Sequence, residues 1–200
     1  KTVAAYGAAA KGNTLLNYAG VKPDLLGYSG SVSATVANYD QVILRGDVTG
    51  PLSDNAAFSL YGSSNERDGY YDNLELGTEQ NELDRWNLRG QLLWSPTDRM
   101  EVRFIADGEN ISEVCCGVAN LVDGPTGDVV RALGGNLVPE DAFAYEGFYD
   151  FDPETNIDSR GTSVQVDYDF DTMTLTSITA YRTLEQEQSG DVDFTSPRLV

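Results

Sequence analysis

Between Gly30 and Tyr181 the apolar residues recur at every second position, with few stretches at helical spacing, and the runs are rich in Val, Thr, Tyr, Phe and Trp. The clearest run is Arg85 to Trp94, in which Trp86, Leu88, Gly90, Leu92 and Trp94 share one face of a pleated strand. Arg85, Asn87, Arg89 and Gln91 share the other. Thr162 to Phe170 repeats the rule, with Val164, Val166, Tyr168 and Phe170 opposing Ser163, Gln165, Asp167 and Asp169. Val42, Leu44, Gly46 and Val48 oppose Ile43, Arg45, Asp47 and Thr49; Phe58, Leu60 and Gly62 oppose Ser59, Tyr61 and Ser63; Val102, Phe104 and Ala106 oppose Arg103, Ile105 and Asp107. Gly30 to Asn38 and Met173 to Leu184 also read as strands, the latter with the weakest alternation. A chain patterned in this way folds as an all-β antiparallel meander of about seven strands.

The connections narrow the architecture further. Tight turns are expected around Gly50 to Asp54, Ser95 to Asp98 and Asp169 to Thr172, and long loops over Asn65 to Leu83 and Gly108 to Ser159. From Val42 onward short and long alternate, so all short turns fall at one end of the strands. A soluble sandwich has no need of that asymmetry, whereas an outer-membrane barrel combines short periplasmic turns with long external loops. Trp86 and Trp94 lie eight residues apart on the apolar face, a climb of about 20 Å on a tilted strand, near the roughly 25 Å band that aromatic girdles bracket. The same two tryptophans would also serve as core residues of a sandwich. Unequal turn intervals argue against a propeller or a solenoid.

Composition removes several functions. Thirty-two acidic against thirteen basic residues leave a formal charge of -19, so a phosphate-tracking surface is absent and nucleic acid is not an expected partner. Without histidine the chain lacks the usual general base, the usual zinc ligand and the Ser-His or Cys-His nucleophile pairs. Cys115 and Cys116 are adjacent, so they can neither staple distant segments nor form a Cys-x-x-Cys half-site. No window approaches 18 apolar residues, which leaves strands as the only means of crossing a membrane. Lys1 to Ala10 lack a signal peptide's apolar core.

Several local patterns resemble those of the TonB-dependent receptors, plugged outer-membrane transporters built on about 22 strands. Gly50-Pro51-Leu52-Ser53 looks like that family's first periplasmic turn, Arg67-Asp68-Gly69-Tyr70 with Asp72-Asn73 like the opening of its second external loop, and Gly90 to Asp98 like the descent into its second turn. Leu16-Asn17 with Lys22-Pro23 resembles the end of the plug, although Asn13 and Thr14 stand where glycines are usual. The resemblance implies the end of a plug domain and linker over residues 1–27 and the N-terminal part of an incomplete transmembrane β-barrel over 28–200. It implies localisation in a bacterial outer membrane and energy-coupled uptake of a scarce solute such as a ferric siderophore complex. The partners would be outer-membrane lipid, the protein's own plug, a small solute and, through a missing N-terminus, an inner-membrane energy-coupling protein. Seven strands with two open edges mark the chain as a fragment of a longer one.

On that reading Arg45, Asp47, Arg85, Asn87, Arg89, Gln91, Arg103 and Asp107 face the lumen and contact the plug or the solute, and Cys115-Cys116 form a loop disulfide. No catalytic residue, metal ligand or cofactor is expected, and the chain is not expected to be an enzyme. The loop acids, including Glu66, Asp72, Glu79, Glu113, Asp141, Asp150 and Asp152, read as a solvated face. Asp150-Phe151-Asp152-Pro153-Glu154 opens like a calcium loop but has Thr155 where the sharp turn needs glycine. The rivals are a passive porin-like barrel, a soluble acidic β-sandwich binding calcium and a carboxylate-pair hydrolase. Within Gly108 to Ser159 a short helical piece is expected around Asp128 to Leu133.

Overall fold

The computed structural model describes residues 27–137, 141 and 143–197. In chain order its elements are β1 (Ser29–Val36), β2 (Val42–Ser53), β3 (Ala56–Arg67), β4 (Tyr71–Asn73), β5 (Thr78–Gln80), β6 (Leu83–Thr97), β7 (Met100–Val114), a one-and-a-half-turn helix α1 (Gly127–Ala132), β8 (Glu146–Gly147), β9 (Glu154–Asp169) and β10 (Thr174–Gln188). Seven of the strands form one antiparallel sheet in the order β1-β2-β3-β6-β7-β9-β10, so every strand pairs with its neighbour in that order. The three short strands make a separate sheet, β5-β4-β8, with β8 parallel to β4.

The period-two pattern sets the register. Val48, Leu60, Gly90 and Ala106 pair in one row across β2, β3, β6 and β7, and Phe58, Leu92, Phe104 and Val164 in another across β3, β6, β7 and β9. A slip of one residue would turn any strand's apolar set to the opposite face. The connections at Asp54-Asn55, Asp98-Arg99 and after Asp169 share one rim: Ser95 N–H donates to the Asn55 carbonyl at 2.8 Å, Asp169 N–H to the Arg99 carbonyl at 2.8 Å, and Arg99 pairs with Asp171 at 2.8 Å. The long excursions leave from the other rim.

Two expectations are corrected. The sheet is not closed into a barrel, because β1 and β10 are its two edges and do not pair with each other. Alternation records that each strand has one apolar face, which an open sheet satisfies as well as a closed one, so it carries no information about closure. The sheet-rich alternative is favoured over a closed barrel, with a seven-stranded and a three-stranded sheet among the described residues and the apolar face of the larger one left open. Val32, Leu44, Trp86, Leu88, Trp94, Phe104 and Tyr181 on that face are all exposed. Finally, the Gly108–Ser159 loop is shorter than expected: β7 runs to Val114 and β9 starts at Glu154, paired from Gly108↔Arg160 to Val114↔Glu154. Polar cross-strand pairs carry that extension, with Asn110 Nδ2 donating to Asp158 at 3.0 Å and Ser112 Oγ to Asn156 Oδ1 at 2.8 Å. The expected plug segment lies outside the described residues except for Gly27. The helical piece forms as α1.

Open edges have a direct signature. Along Thr174–Gln188 the amides that point away from β9 lack a ladder partner among the described residues, so hydrogen exchange should alternate between fast and slow along β10, while β6 and β7 are protected at every position. Uniform protection along β10 would mean that its outer edge is paired.

Candidate functional site: a tyrosine-lined cap on the loop rim

The two long excursions fold together at the loop rim. Tyr70 N–H donates to the Gln80 carbonyl at 3.1 Å, Asp72 N–H to Tyr145 at 2.8 Å, Leu74 N–H to Gly147 at 2.9 Å, and Asn81 N–H to Val114 at 2.9 Å. Here lie the only buried large apolar side chains among the described residues, Tyr71, Val130 and Tyr149.

A polar knot fixes the arrangement. Asn73, 1% exposed, donates from Nδ2 to the Tyr149 carbonyl at 3.3 Å and to Asp152 Oδ1 at 3.2 Å. Its Oδ1 accepts from the N–H groups of Glu75 at 3.1 Å and Tyr149 at 3.3 Å. Asp152 Oδ1 also accepts from Thr78 Oγ1 at 2.7 Å and Gln80 Nε2 at 3.2 Å. One carboxylate thus gathers donors from β4 and β5 and ties them to the chain leading into β9. Asn81 does the same nearby, its Oδ1 accepting from the N–H groups of Cys116 at 2.8 Å and Gly117 at 3.1 Å. Cys115 and Cys116 are joined as a vicinal disulfide, and Cys116 sits at φ 75°.

Aromatic rings run through the cap in sequence: Tyr39–Tyr70 at 5.7 Å, Tyr70–Tyr145 at 5.8 Å, Tyr145–Tyr71 at 6.5 Å, Tyr71–Tyr149 at 6.4 Å and Tyr149–Phe194 at 6.1 Å between centroids. These are tilted and edge-to-face contacts of the kind aromatic rings prefer. The Arg67 guanidinium lies 5.0 Å from the Tyr70 centroid, within cation–π range, and also donates to the Asn81 carbonyl. The Tyr71 hydroxyl donates to the Glu146 carbonyl at 2.9 Å, and the Tyr149 hydroxyl bridges the carbonyl and N–H of Val118. Burial pushes the Tyr71 phenol above its usual range and the Tyr149 phenol further still, so both are held as neutral donors. Burial also lifts the Asp191 carboxyl, although the N–H groups of Asp193 and Phe194 hold its Oδ1 at 3.1 and 2.9 Å.

Beside these rings is an open depression of about 370 Å³ lined by Tyr70, Tyr71, Asn81, Phe143 and Tyr145 and by Gly117 to Ala119. A Cβ on Gly117 would come within 2.9 Å of both the Tyr71 ring and Gln80 Oε1. Glycine therefore allows the backbone to lie against the ring. Gln80 is fully buried, and its Oε1 has no hydrogen-bond partner among the described residues.

The residues expected to face a lumen occupy the polar face of the large sheet, away from this depression. Register aligns Asp47, Tyr61, Arg89 and Asp107 in one row, and Asp47 accepts from Ser31. Asp107 pairs with Arg182, which reaches from β10 across Gly161. Arg85 makes a two-pronged contact with the buried Glu113, 2.7 Å on the Nη2 side. Asn87 donates to Ser63 at 2.8 Å, and Arg103 meets Glu101 at 3.4 Å. Arg45 and Gln91 share the face without joining a cluster. Among the described residues no group of His, Cys, Asp or Glu could hold a metal ion. Sequence reading missed the knot, placing Asp152 and Glu113 among solvated acids. The available signal was the tyrosines at 70, 71, 145 and 149 within the two long loops.

A family model described as C-methyltransferase C-terminal domain matches residues 1–38 of the 200. No curated protein and no solved structure matches the chain. That match, together with the open sheet, overturns the resemblance to TonB-dependent receptors and what it implied. Energy-coupled uptake, the outer-membrane location, and lipid, plug and inner-membrane coupling protein as partners all rested on a closed barrel. The expectation that the chain is not an enzyme is corrected too, since the match points toward enzymatic activity. No described helix is long and apolar enough to cross a membrane, which says nothing of strands.

Replacing Asn73 by Leu would orphan the Tyr149 and Glu75 N–H groups and remove one donor from Asp152, at a cost of about 2–4 kcal/mol. Chemical denaturation should show it. The Tyr149 phenol supplies a pH test. Its folded pKa lies above the ordinary phenol value of 10.0, so its contribution to stability is complete below pH 10.0 and is lost as pH rises through the folded value. Spectroscopic titration of the tyrosines should find at least one phenol ionising only as the cap unfolds, and Tyr149→Phe should remove that step.

Proposed function

We propose that the cap is a binding site for a small organic cation carrying apolar substituents, with the seven-stranded sheet as its scaffold. The observation that carries this reading is the open depression lined by four aromatic rings, Tyr70, Tyr71, Phe143 and Tyr145, in a chain of charge -19. Ring faces attract a desolvated cation, and a strongly negative surface raises its local concentration while turning anions away. Arg67 already uses one of these rings in this manner. The neutral phenols of Tyr71 and Tyr149 are spent on backbone carbonyls, which leaves recognition to shape and ring faces rather than to acid–base chemistry.

The match over residues 1–38 favours a second reading, in which the bound molecule accepts a methyl group. C-methylation replaces a proton on the acceptor carbon by methyl, so the product would gain one CH2 in mass. Incubation with a labelled sulfonium methyl donor and candidate acceptors, read by mass spectrometry, separates a methylating enzyme from a binding module.

Calorimetry with benzyltrimethylammonium tests the binding site. Saturable binding is expected, at least about tenfold weaker for the uncharged tert-butyl analogue and for Tyr145→Ala, a loss of about 1.4 kcal/mol. Equal affinity for the charged and uncharged probes would sink the proposal.

A further inference from the structure

Cys115 and Cys116 follow directly on Val114, the last residue of β7, and stand where the chain leaves the sheet for the cap. Because the two are neighbours, their disulfide holds no distant segments together. It closes a small ring through the peptide bond between them, and that ring restricts two backbone rotations, ψ of Cys115 and φ of Cys116. Cys116 lies at φ 75°, in the left-handed region that an L side chain disfavours. The bridge therefore acts on local backbone direction, at the residue that steers the chain into the cap.

The effect of that direction can be followed residue by residue. With Cys116 left-handed, the N–H groups of Cys116 and Gly117 converge on one oxygen, Asn81 Oδ1, at 2.8 and 3.1 Å, and Asn81 Nδ2 donates back to the Gly117 carbonyl at 3.3 Å. Successive N–H groups that converge in this way form a concave nest for an oxygen acceptor. Gly117 is thereby set against the Tyr71 ring, and the carbonyl and N–H of Val118 both meet the Tyr149 hydroxyl. Gly117, Val118 and Ala119 line the aromatic depression. On its other side the bridge is anchored to the end of the sheet: the Cys115 N–H donates to the Pro153 carbonyl at 2.9 Å, and Cys115 Sγ lies 3.1 Å from Thr155 Oγ1. Cys115 is half-buried and Cys116 exposed, so the bridge is open to attack from solvent at Cys116.

From this arrangement we infer that the Cys115–Cys116 disulfide is a redox switch for the cap. A thiolate of a dithiol reductant attacks Cys116 Sγ, the S–S bond breaks, and Cys115 leaves as a thiolate and takes up a proton. The reductant's second thiol then displaces Cys116 from the mixed disulfide. Two electrons and two protons pass to the protein, and the reductant ends as a disulfide. With the ring open, Cys116 turns to the negative φ that an L residue prefers, its N–H and that of Gly117 no longer share Asn81 Oδ1, and Gly117 to Ala119 draw back from Tyr71 and Tyr149. The oxidised chain holds the depression in shape, and the reduced chain releases one side of it. This change concerns the chain alone; its effect on a bound cation rests on the binding reading of the cap.

Amide exchange read by nuclear magnetic resonance tests the switch, with the oxidised and the dithiothreitol-reduced chain compared at one pH. Reduction should speed exchange of the Cys116, Gly117 and Val118 amides at least about tenfold and leave β6 and β7 unchanged. Cys115→Ser combined with Cys116→Ser should behave as the reduced chain in the absence of reductant. If that variant fails to fold, the wild-type comparison decides alone. Unchanged exchange at the three amides, with both thiols shown free by alkylation, would overturn the switch. So would loss of protection across the whole sheet, which would make the bridge a general stabiliser. Benzyltrimethylammonium should bind the reduced chain at least about fivefold more weakly than the oxidised one, and equal affinity would overturn redox control of the site. Binding by neither form, with exchange at the three amides still redox-dependent, would sink the ligand reading and uphold the switch.

Discussion

Everything in this fold depends on a backbone ladder that holds without a packed core behind it. The long strands of 12 to 16 residues, β2, β3, β6, β7, β9 and β10, are paired over most of their length. Yet none of the large apolar residues on the sheet is buried. Cross-strand neighbours do the lateral work: apolar pairs such as Leu92 and Phe104 on one face, and Arg182 with Asp107 or Asn87 with Ser63 on the other. Burial is concentrated at the loop rim, where chain that has left the ladder must satisfy its own polar groups.

That division explains the character of the cap. A connection of ordinary polar residues would stay solvated, but these excursions enclose Tyr149 and Val130 completely. The backbone around them is then cut off from water; the Asn73 side chain supplies partners to the Tyr149 carbonyl and N–H, and Asp152 in turn holds Asn73, Thr78 and Gln80. Because several strands and loops share one carboxylate, the wall of the depression is held as a unit. Tyr71 on it is positioned by its hydroxyl bond to the Glu146 carbonyl, and Tyr70 and Tyr145 by their ring contacts.

Much of this was legible in the residue pattern. Trp86, Leu88, Leu92 and Trp94 announced their common face, and the turns at Asp54-Asn55 and Asp98-Arg99 announced a common rim, because both depend only on near neighbours. Closure was not legible: whether Thr174–Gln188 meets another strand depends on a partner that no local pattern names. Asp152 was opaque for a related reason. An acid in a polar loop reads as solvated until the fold brings Thr78 and Gln80 to it from more than 70 residues away.

The order of the strands also sets how the chain can assemble. Each hairpin with a short turn joins sequence neighbours, so β2–β3, β6–β7 and β9–β10 can each form with little loss of chain freedom. Joining β7 to β9 must instead close the segment between Val114 and Glu154, about twentyfold longer than a two-residue turn, at an added entropic cost of roughly 2–3 kcal/mol. The cap lies within that segment, and its polar knot draws the far end toward Asn73 and Gln80. The same contacts that shape the depression therefore shorten the search by which two preformed hairpin units find each other, and the site doubles as the clasp of the sheet.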